Sequence, residues 1–290
     1  MKNLIIALRT KHWIKNLLVF LPLVFGNKLF VYPANIKAIG AFLLFCLASS
    51  VVYLINDIYD LKNDKKHPTK KMRPFASGKI SLQQIQIAIV LLSSFSIFVS
   101  FLLNKQLCGI LITYIIFNTV YSSLLKNIVI IDVLCIALFF LLRVMAGTAV
   151  IGVVYSHWMI FMTCLLAIFL GFNKRRQELK IYKESSEGYR PVLAKYNTYF
   201  LDQMISVTTA SIVIVYMIYT VDERTVGTFG TNHLFYSIPF VYYGIFRYLY
   251  LVHKKNIDGD PTSALLADIT TQVNLFLWIL ACILVVYFRI

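Results

Sequence analysis

Long, uninterrupted runs of apolar residues separated by short polar stretches recur along the whole chain. Each run is about twenty residues long, which is the length that a helix needs to cross a bilayer. The runs are 14–32, 36–57, 82–103, 106–124, 128–151, 156–173, 197–221, 232–252 and 270–288. They are continuous rather than alternating, so strands are disfavoured. The pattern predicts an all-α, polytopic membrane protein with about nine transmembrane helices, the first of them interrupted by Pro22 and Gly26.

The composition supports this interpretation. Hydrophobic residues make up 59% of the 290 positions and charged residues only 14%, whereas a soluble domain has about a quarter of its residues charged. The five cysteines all fall within apolar runs and show no CxxC spacing, which favours inert buried thiols without a metal or a disulfide. The chain is therefore expected to form one membrane-embedded domain over residues 1–290.

The formal net charge of +15 is explained by membrane topology. With the N-terminus inside, 21 lysine and arginine residues fall in inner segments and five in outer segments, a strong positive-inside bias. This asymmetry predicts a multi-pass membrane protein with a cytoplasmic N-terminus, and it requires no nucleic acid partner. Two inner segments, 58–81 and 174–196, are long and carry seven basic residues each, so we expect these cytoplasmic loops to form the polar site.

The first cluster of candidate chemistry lies at the end of the second apolar run. Asn56, Asp60 and Asp64 are spaced by four residues and would share one helix face, with Asp57 beside them. Hard oxygen ligands on one face suit Mg²⁺, which proteins hold with one or two carboxylates plus substrate phosphates. The alternative is a solvated helix end with salt bridges to Lys62, Lys65 and Lys66.

Basic residues follow these acids within ten positions. They are His67, Lys70, Lys71 and Arg73, of which the last three lie between Pro68 and Pro74. Acids that bind a metal beside bases that bind phosphate are the combination that metal-assisted diphosphate chemistry requires. The neighbourhood therefore favours a site, in which Lys70 and Arg73 would bind substrate.

The sequence of this region resembles that of a known protein family. "NDIYDLKND" followed by "HPTKKMRPFASG" is similar to the first aspartate-rich motif of the UbiA-type prenyltransferase superfamily, and most similar to its branch of phosphoribosyltransferases acting on polyprenyl phosphates. The stretches "RTKHWIKNLLVFLPL" and "YSSLLKNIVIIDVLCIALFFLLRVMAG" also resemble that branch. The resemblance runs from Arg9 to about Tyr196, and the C-terminal third is similar mainly in hydropathy. The resemblance implies helices around a central cavity, with Mg²⁺ on Asn56, Asp60 and Asp64. It also implies a location in a bacterial inner membrane.

A second segment departs from the wider superfamily. Most members carry another aspartate-rich motif after the sixth helix, and this chain has basic residues there instead. The candidates in this segment are Lys174, Arg175, Arg176, Glu178, Tyr189 and Arg190. The resemblance implies a pocket for a donor richer in phosphate than a prenyl diphosphate, such as phosphoribosyl pyrophosphate, although an ordinary positive-inside cluster would look the same.

Three further cations are candidates for substrate binding. Lys126 matches a position that resembles a diphosphate contact in the family. Lys15 lies beside Trp13, where a plain interfacial anchor is the alternative. Arg143 lies within an apolar run, where an unpaired charge is costly, so we expect it to pair either with Asp132 or with a substrate phosphate.

The expected reaction is transfer of phosphoribose from phosphoribosyl pyrophosphate to a polyprenyl phosphate, with release of pyrophosphate. The acceptor phosphate is already anionic, so no general base is needed. Two other functions stay open: an aromatic prenyltransferase using a prenyl diphosphate, which would need the missing second motif, and a transporter or lipid-binding membrane protein, which would spread polar groups through the midplane. A homo-oligomer is also left open.

Overall fold

The computed structural model describes residues 2–67, 69–185, 191–254 and 267–289, and the regular structure in these ranges is helical throughout. The chain divides into two compact units. The first comprises Met1–Tyr155 with Ile181–Tyr196, and the second comprises Ser156–Lys180 with Asn197–Ile290.

The first unit begins with a broken helical segment and continues with four long helices. Its elements are α1 (Lys2–Ala7), a 3-10 helix (Thr10–Phe20), α2 (Leu21–Phe25), α3 (Ala34–Lys66), α4 (Leu82–Leu103), α5 (Lys105–Ser123) and α6 (Ile131–Ile151). Its core lies where α3, α5 and α6 meet the 3-10 helix. Val19, Phe45, Leu111 and Ala146 are fully buried there.

The second unit contains the remaining long helices. They are α7 (His157–Ser185, of which the part to Lys180 belongs to this unit), α8 (Thr198–Val221), the short α9 (Glu223–Phe229), α10 (Ile238–Lys254) and α11 (Ile269–Ile283). The last helix continues as a π-helical turn, Leu284–Phe288.

Several helices begin where the sequence supplies a side chain for the unpaired N–H groups of the first turn. Ser81 and Gln84 form a reciprocal capping box at the start of α4. Asn104 accepts a hydrogen bond from the N–H of Leu107 at 2.9 Å, and Asn197 accepts one from Phe200 at 2.6 Å. These caps define where α4, α5 and α8 begin.

Seven helices in the described ranges are long and apolar enough to cross a membrane, so the all-α membrane fold is confirmed and the count of nine is not. The segment 14–32 is not one helix, because Pro22 lies in the first turn of a new short helix and Gly26 ends it. The segment 232–252 yields α10, whose 17 residues give a length of about 26 Å, shorter than the bilayer core of about 30 Å.

The length of α3 determines where its acids lie. Its 33 residues extend about 50 Å, well beyond a hydrocarbon core of about 30 Å. Residues 58–66, expected in a loop, are the continuation of this helix, and residues 174–185 likewise belong to α7. The acidic residues therefore leave the membrane on a rigid helix.

Gly147 of α6 allows a close approach within the first unit. A Cβ atom at this position would lie 2.0 Å from the carbonyl oxygen of Val19. The 3-10 helix can therefore pack directly against α6 only because residue 147 has no side chain.

Candidate active site

Four polar side chains near the end of α3 form the α3 acid cluster: Asn56, Asp57, Asp60 and Asp64. The three carboxylate residues are at most 7% exposed. Asn56 donates from Nδ2 to Asp60 Oδ2 at 2.9 Å and accepts from the hydroxyl of Ser122 on α5 at 3.2 Å. The helical spacing therefore brings these groups together as expected, and Ser122 fixes the orientation of the amide.

Three cations are paired with the carboxylates of this cluster. Lys126, in a 3-10 turn after α5, places Nζ 2.5 Å from Asp60 Oδ1. Arg73 lies 2.5 Å from Asp64 Oδ2 and 3.5 Å from Asp57 Oδ1, and Arg9 also pairs with Asp57. Three negative and three positive side chains thus meet at one end of the first unit, which balances charges that would be costly to bury singly.

Arg9 was not identified as a site residue from the sequence. Its backbone has φ 53° and ψ 49°, the left-handed region, which is unusual for a residue with a side chain. Its guanidinium lies 4.9 Å from the centre of the Tyr53 ring, and burial lowers the pKa of Arg9 against the opposing effect of Asp57. A strained backbone held by an ion pair is typical of a functional position.

A cavity of about 360 Å³ opens beside these ion pairs. Its polar lining comes from Arg9, His12, Asp57, Thr69 and Arg73, and apolar residues of α1 and of the loop around Arg73 complete the wall. The loop that supplies Arg73 is shaped by a local contact, because the backbone N–H groups of Thr69 and Lys70 lie 3.3 Å from the Nδ1 atom of His67. The cavity therefore carries an excess of cationic groups, which suits an anionic ligand.

The α3 acid cluster fits Mg²⁺ by the chemistry of its donors. In the described ranges, no three histidine, cysteine or acidic side chains converge as a complete metal site. Mg²⁺ does not require one, because proteins commonly bind it through one or two carboxylates together with substrate phosphates. The oxygens of Asn56, Asp60 and Asp64 are ligands of that type, and the neighbouring cations suit the phosphates.

Arg143 lies in a different setting, in the middle of α6. It donates to Asn16 Oδ1 at 2.7 Å, to the carbonyl of Phe139 at 2.5 Å and to the hydroxyl of Tyr114 at 2.9 Å. The predicted alternative of pairing with Asp132 is wrong, since eleven residues along one helix separate the two by about 16 Å.

Asp132 instead anchors the end of the segment that precedes α8. It accepts a hydrogen bond from the hydroxyl of Tyr196 at 2.7 Å, and that hydroxyl accepts one from the N–H of Ile130 at 2.7 Å. All three groups belong to the first unit. Asp132 is fully buried, so this contact is structural.

The predicted basic segment lies largely on α7, where its residues point in different directions. Arg175 is fully buried and pairs with Glu178 on the next turn. Arg176 pairs with Asp202 of α8, and Lys174 is partly exposed. Tyr189 and Arg190, which were predicted to bind substrate, lie outside the described residues.

The remaining predicted contacts are Lys15 and Lys70. Lys15 lies on the 3-10 helix next to Asn16, which is fully buried and holds Arg143. Lys70 begins the 3-10 turn that leads to Arg73. Both side chains are partly exposed. Both residues thus lie on elements that flank the site.

The described residues thus form a helical membrane protein with opposed carboxylates and cations at the end of one helix. The chain belongs to the UbiA prenyltransferase family, whose model matches residues 19–280. Two similar relatives are decaprenyl-phosphate phosphoribosyltransferases. The one from Corynebacterium glutamicum is 29% identical and covers 98% of this chain and 87% of its own length. The one from Mycolicibacterium smegmatis is 28% identical and covers 96% and 90%.

Solved structures share the fold. A UbiA homolog from Archaeoglobus fulgidus, bound to GPP and Mg²⁺, matches with a TM-score of 0.70 and 19% identity, covering 98% of this chain and 99% of that one. The family model and the two relatives confirm the resemblance to the UbiA family that the motifs indicated.

Proposed function

We propose that the protein transfers phosphoribose from phosphoribosyl pyrophosphate to a polyprenyl phosphate and releases pyrophosphate. The observation that carries this proposal is the pairing of the α3 acid cluster with Arg9, Arg73 and Lys126 beside a cavity. Such a set of exchangeable ion pairs can accept both a divalent cation and a diphosphate. The names of the similar relatives support the choice of donor and acceptor.

Asn56, Asp60 and Asp64 would hold Mg²⁺, with Asp57 beside them. When bound, the ion supplies positive charge that stabilises the leaving diphosphate. The UbiA homolog from Archaeoglobus fulgidus, which has a similar fold, was solved with Mg²⁺ bound. This supports the assignment of Mg²⁺ to the oxygen ligands of Asn56, Asp60 and Asp64.

Arg73 and Lys126 have the second role in the proposal. Each is paired with a carboxylate, and each can turn to a phosphate oxygen, because charge-assisted hydrogen bonds to phosphate are as favourable as those to a carboxylate. Arg9 is added to this set on the strength of its position in the cavity wall. Lys15 and Lys70 stay proposed contacts for substrate phosphates.

The bond changes need no side chain as a base. An anionic oxygen of the acceptor phosphate forms a bond to C1 of the ribose, and the bond between C1 and the diphosphate oxygen breaks. Positive charge develops on the ribose ring in the transition state while negative charge moves onto the leaving group. Cations fixed beside the diphosphate stabilise that change, and direct attack predicts inversion at C1.

We further propose that Lys174, Arg175 and Glu178 of α7, together with Tyr189 and Arg190, bind the donor. Arg176, which was predicted with them, pairs with Asp202 and is left out of this proposal. Arg175, which is fully buried, pairs with Glu178, whose side chain is 20% exposed, and this pair would orient the turn. Lys174→Ala should raise the KM for phosphoribosyl pyrophosphate about ten-fold, because a lost charge-assisted hydrogen bond costs roughly 1.5–3 kcal/mol. Lys180→Ala, a change at an exposed position of the same helix, is the matched control and should leave both KM values unaltered.

The decisive experiment incubates the purified protein with Mg²⁺, ribose-labelled phosphoribosyl pyrophosphate and a polyprenyl phosphate. A labelled lipid and an equal amount of pyrophosphate are expected, and a polyprenol without phosphate should give neither. A second reaction supplies a prenyl diphosphate and an aromatic acceptor. Prenylation of that acceptor without any labelled lipid in the first reaction would show that the protein is an aromatic prenyltransferase and that the proposal is wrong.

A further inference from the structure

A groove of about 720 Å³ runs between α8 and α10 in the second unit; we call it the α8–α10 groove. It is lined from Asp202 to Ile214 on α8 and from Tyr242 to His253 on α10. The twelve-residue interval on α8 corresponds to about 18 Å, close to half of a hydrocarbon core of about 30 Å. The groove therefore has the length of one leaflet, which is the length that a single lipid chain occupies.

Charged groups mark one end of this groove. Arg176 and Asp202 pair there through two atoms each, with the longer contact at 3.4 Å. The side chain of Asp202 is 44% exposed, so its oxygens are open to a ligand. One cation and one carboxylate balance each other, so the end offers a site for phosphate and a site for an ammonium group at the same time.

The charge balance discriminates between kinds of lipid. A phosphate monoester, such as that of a polyprenyl phosphate, would gain Arg176 but be repelled by Asp202 at contact distance. A headgroup with both a phosphate and a primary ammonium matches both side chains, and the ammonium can donate hydrogen bonds to the carboxylate. The pair therefore favours a phosphatidylethanolamine headgroup.

A hydroxyl inside the groove agrees with a glycerolipid. Asp202, Ser206, Thr209 and Val213 follow one another at helical spacing along the groove wall. The Oγ1 atom of Thr209 makes no hydrogen bond to any described residue. An isoprenoid chain offers this hydroxyl no acceptor, whereas the ester carbonyls of a glycerophospholipid do.

We propose that the α8–α10 groove binds phosphatidylethanolamine from the leaflet at the N-terminal end of α8. One acyl chain lies between α8 and α10, the phosphate contacts Arg176, and the ammonium contacts Asp202. This site does not depend on the proposed transferase activity.

The first test measures lipid binding to the full-length protein by native mass spectrometry after delipidation, with phosphatidylethanolamine added back. Ala210→Trp fills the groove, because Ala210 lines it. Affinity should fall about ten-fold, the effect of losing roughly 1.4 kcal/mol of binding free energy. Val207→Trp adds the same bulk at a position on α8 that is 59% exposed and is not part of the groove lining. That control should bind phosphatidylethanolamine like the wild type.

The second test concerns the headgroup. Asp202→Asn keeps the shape of the side chain but removes its charge, so the preference for phosphatidylethanolamine over phosphatidylglycerol should reverse, by about ten-fold in the ratio of affinities. Unchanged phosphatidylethanolamine binding in Ala210→Trp, or an unchanged preference in Asp202→Asn, contradicts the proposal. So does a polyprenyl phosphate that displaces phosphatidylethanolamine and is itself weakened by Ala210→Trp, since the groove would then belong to the acceptor. Transfer activity is read separately and decides only the proposed function.

Discussion

The first unit contains two groups of buried charges that are arranged in opposite ways. In the α3 acid cluster, three carboxylates near the end of a long helix each contact a cation from another element. Arg143 lies in the middle of α6, 4% exposed, and all its hydrogen-bond partners are neutral. The rings of Phe45 and Tyr114 face its guanidinium at 5.6 and 5.0 Å. Both arrangements make a buried charge tolerable, but only the first can be rearranged by an ionic ligand.

The two arrangements differ in the number of ion pairs and hydrogen bonds that would be lost if the charged side chains exchanged partners. A carboxylate paired with Lys126 or Arg73 can trade that cation for a metal ion while the cation moves to a phosphate, so the number of ion pairs is conserved. Arg143 has no anion to release, and moving it would leave the side chains of Asn16 and Tyr114 unsatisfied. We infer that the acid cluster is built for binding and that Arg143 fixes the 3-10 helix against α5 and α6.

The largest expected effect is on turnover when the acid cluster is changed. Asp60→Asn or Asp64→Asn should lower kcat by on the order of a hundred-fold, the scale of losing one preorganised electrostatic contact. The protein should remain folded, as judged by its thermal transition in detergent. Asn63→Ala, at an exposed position of the same helix, is the control. Near-normal turnover in both aspartate variants would remove the acid cluster from the active site.

The next largest effect is on stability when Arg143 is changed. Arg143→Ala leaves Asn16 Oδ1 and the Tyr114 hydroxyl without a donor, and it should destabilise the fold by roughly 2–4 kcal/mol. Arg143→Gln keeps one donor and should lose less. Thermal unfolding gives the stabilities, and donor KM values are measured in parallel. A normal melting temperature with a raised donor KM would instead make Arg143 a contact for a substrate phosphate, and the contrast with the acid cluster would fail.

Lys126 allows the exchange of partners to be tested directly. If the lysine and the metal compete for Asp60, Lys126→Gln should lower the Mg²⁺ concentration needed for half-maximal activity by about ten-fold, because a cation 2.5 Å from the carboxylate is removed. The maximal rate should fall at the same time, since a diphosphate contact is lost. Lys79→Gln, at an exposed position, should change neither value. A higher Mg²⁺ requirement in Lys126→Gln would mean that the lysine positions Asp60 for the metal.

The separation of interacting residues along the sequence determined which parts of this structure could be predicted. Asn56, Asp60 and Asp64 share a face on any continuous helix. That helix was predicted because the apolar segment continues directly into a charged segment. The partners of those acids could not be derived from spacing, because Arg9 lies 48 residues from Asp57 and Lys126 lies 66 residues from Asp60.

The same limit applies to Arg143, whose partner Asn16 is 127 residues away. Hydropathy also placed a full span at 14–32, although an eleven-residue 3-10 helix and a short α-helix occupy most of it. A window average does not register that Pro22 lacks the N–H of a continuing helix. The left-handed backbone conformation of Arg9 is a last example, because arginine is not a residue type that indicates a positive φ angle.

The smallest expected effect concerns an ion pair of the second unit, where the charges are neither buried among neutral groups nor part of a cluster. Asp268 caps α11 by accepting from the N–H of Thr271 at 3.0 Å, and it pairs with Arg247 of α10 at 2.7 and 3.0 Å. Arg247 and these hydrogen bonds hold the pKa of Asp268 below its usual range. A carboxylate whose pKa is lowered by folding stabilises the protein above its unfolded value of about 3.9, and this contribution is lost as the pH falls below that value.

Asp268→Asn keeps an oxygen for the cap and removes the ion pair, so it should lower the melting temperature by no more than about 2–4 °C at pH 7. The difference from the wild type should shrink progressively as the pH falls below about 4, where this carboxylate starts to be protonated in the unfolded chain, and it should vanish only below the lowered pKa of Asp268 in the folded protein. Asp268→Ala removes the cap as well and should lose more at every pH, which separates the hydrogen bond from the charge. If Asp268→Asn instead destabilises the protein as much as Arg143→Ala does, then a pair whose arginine side chain is 23% exposed supports this fold as strongly as the buried Arg143. The exposure of the cation would then not determine how much each of these charges contributes to stability.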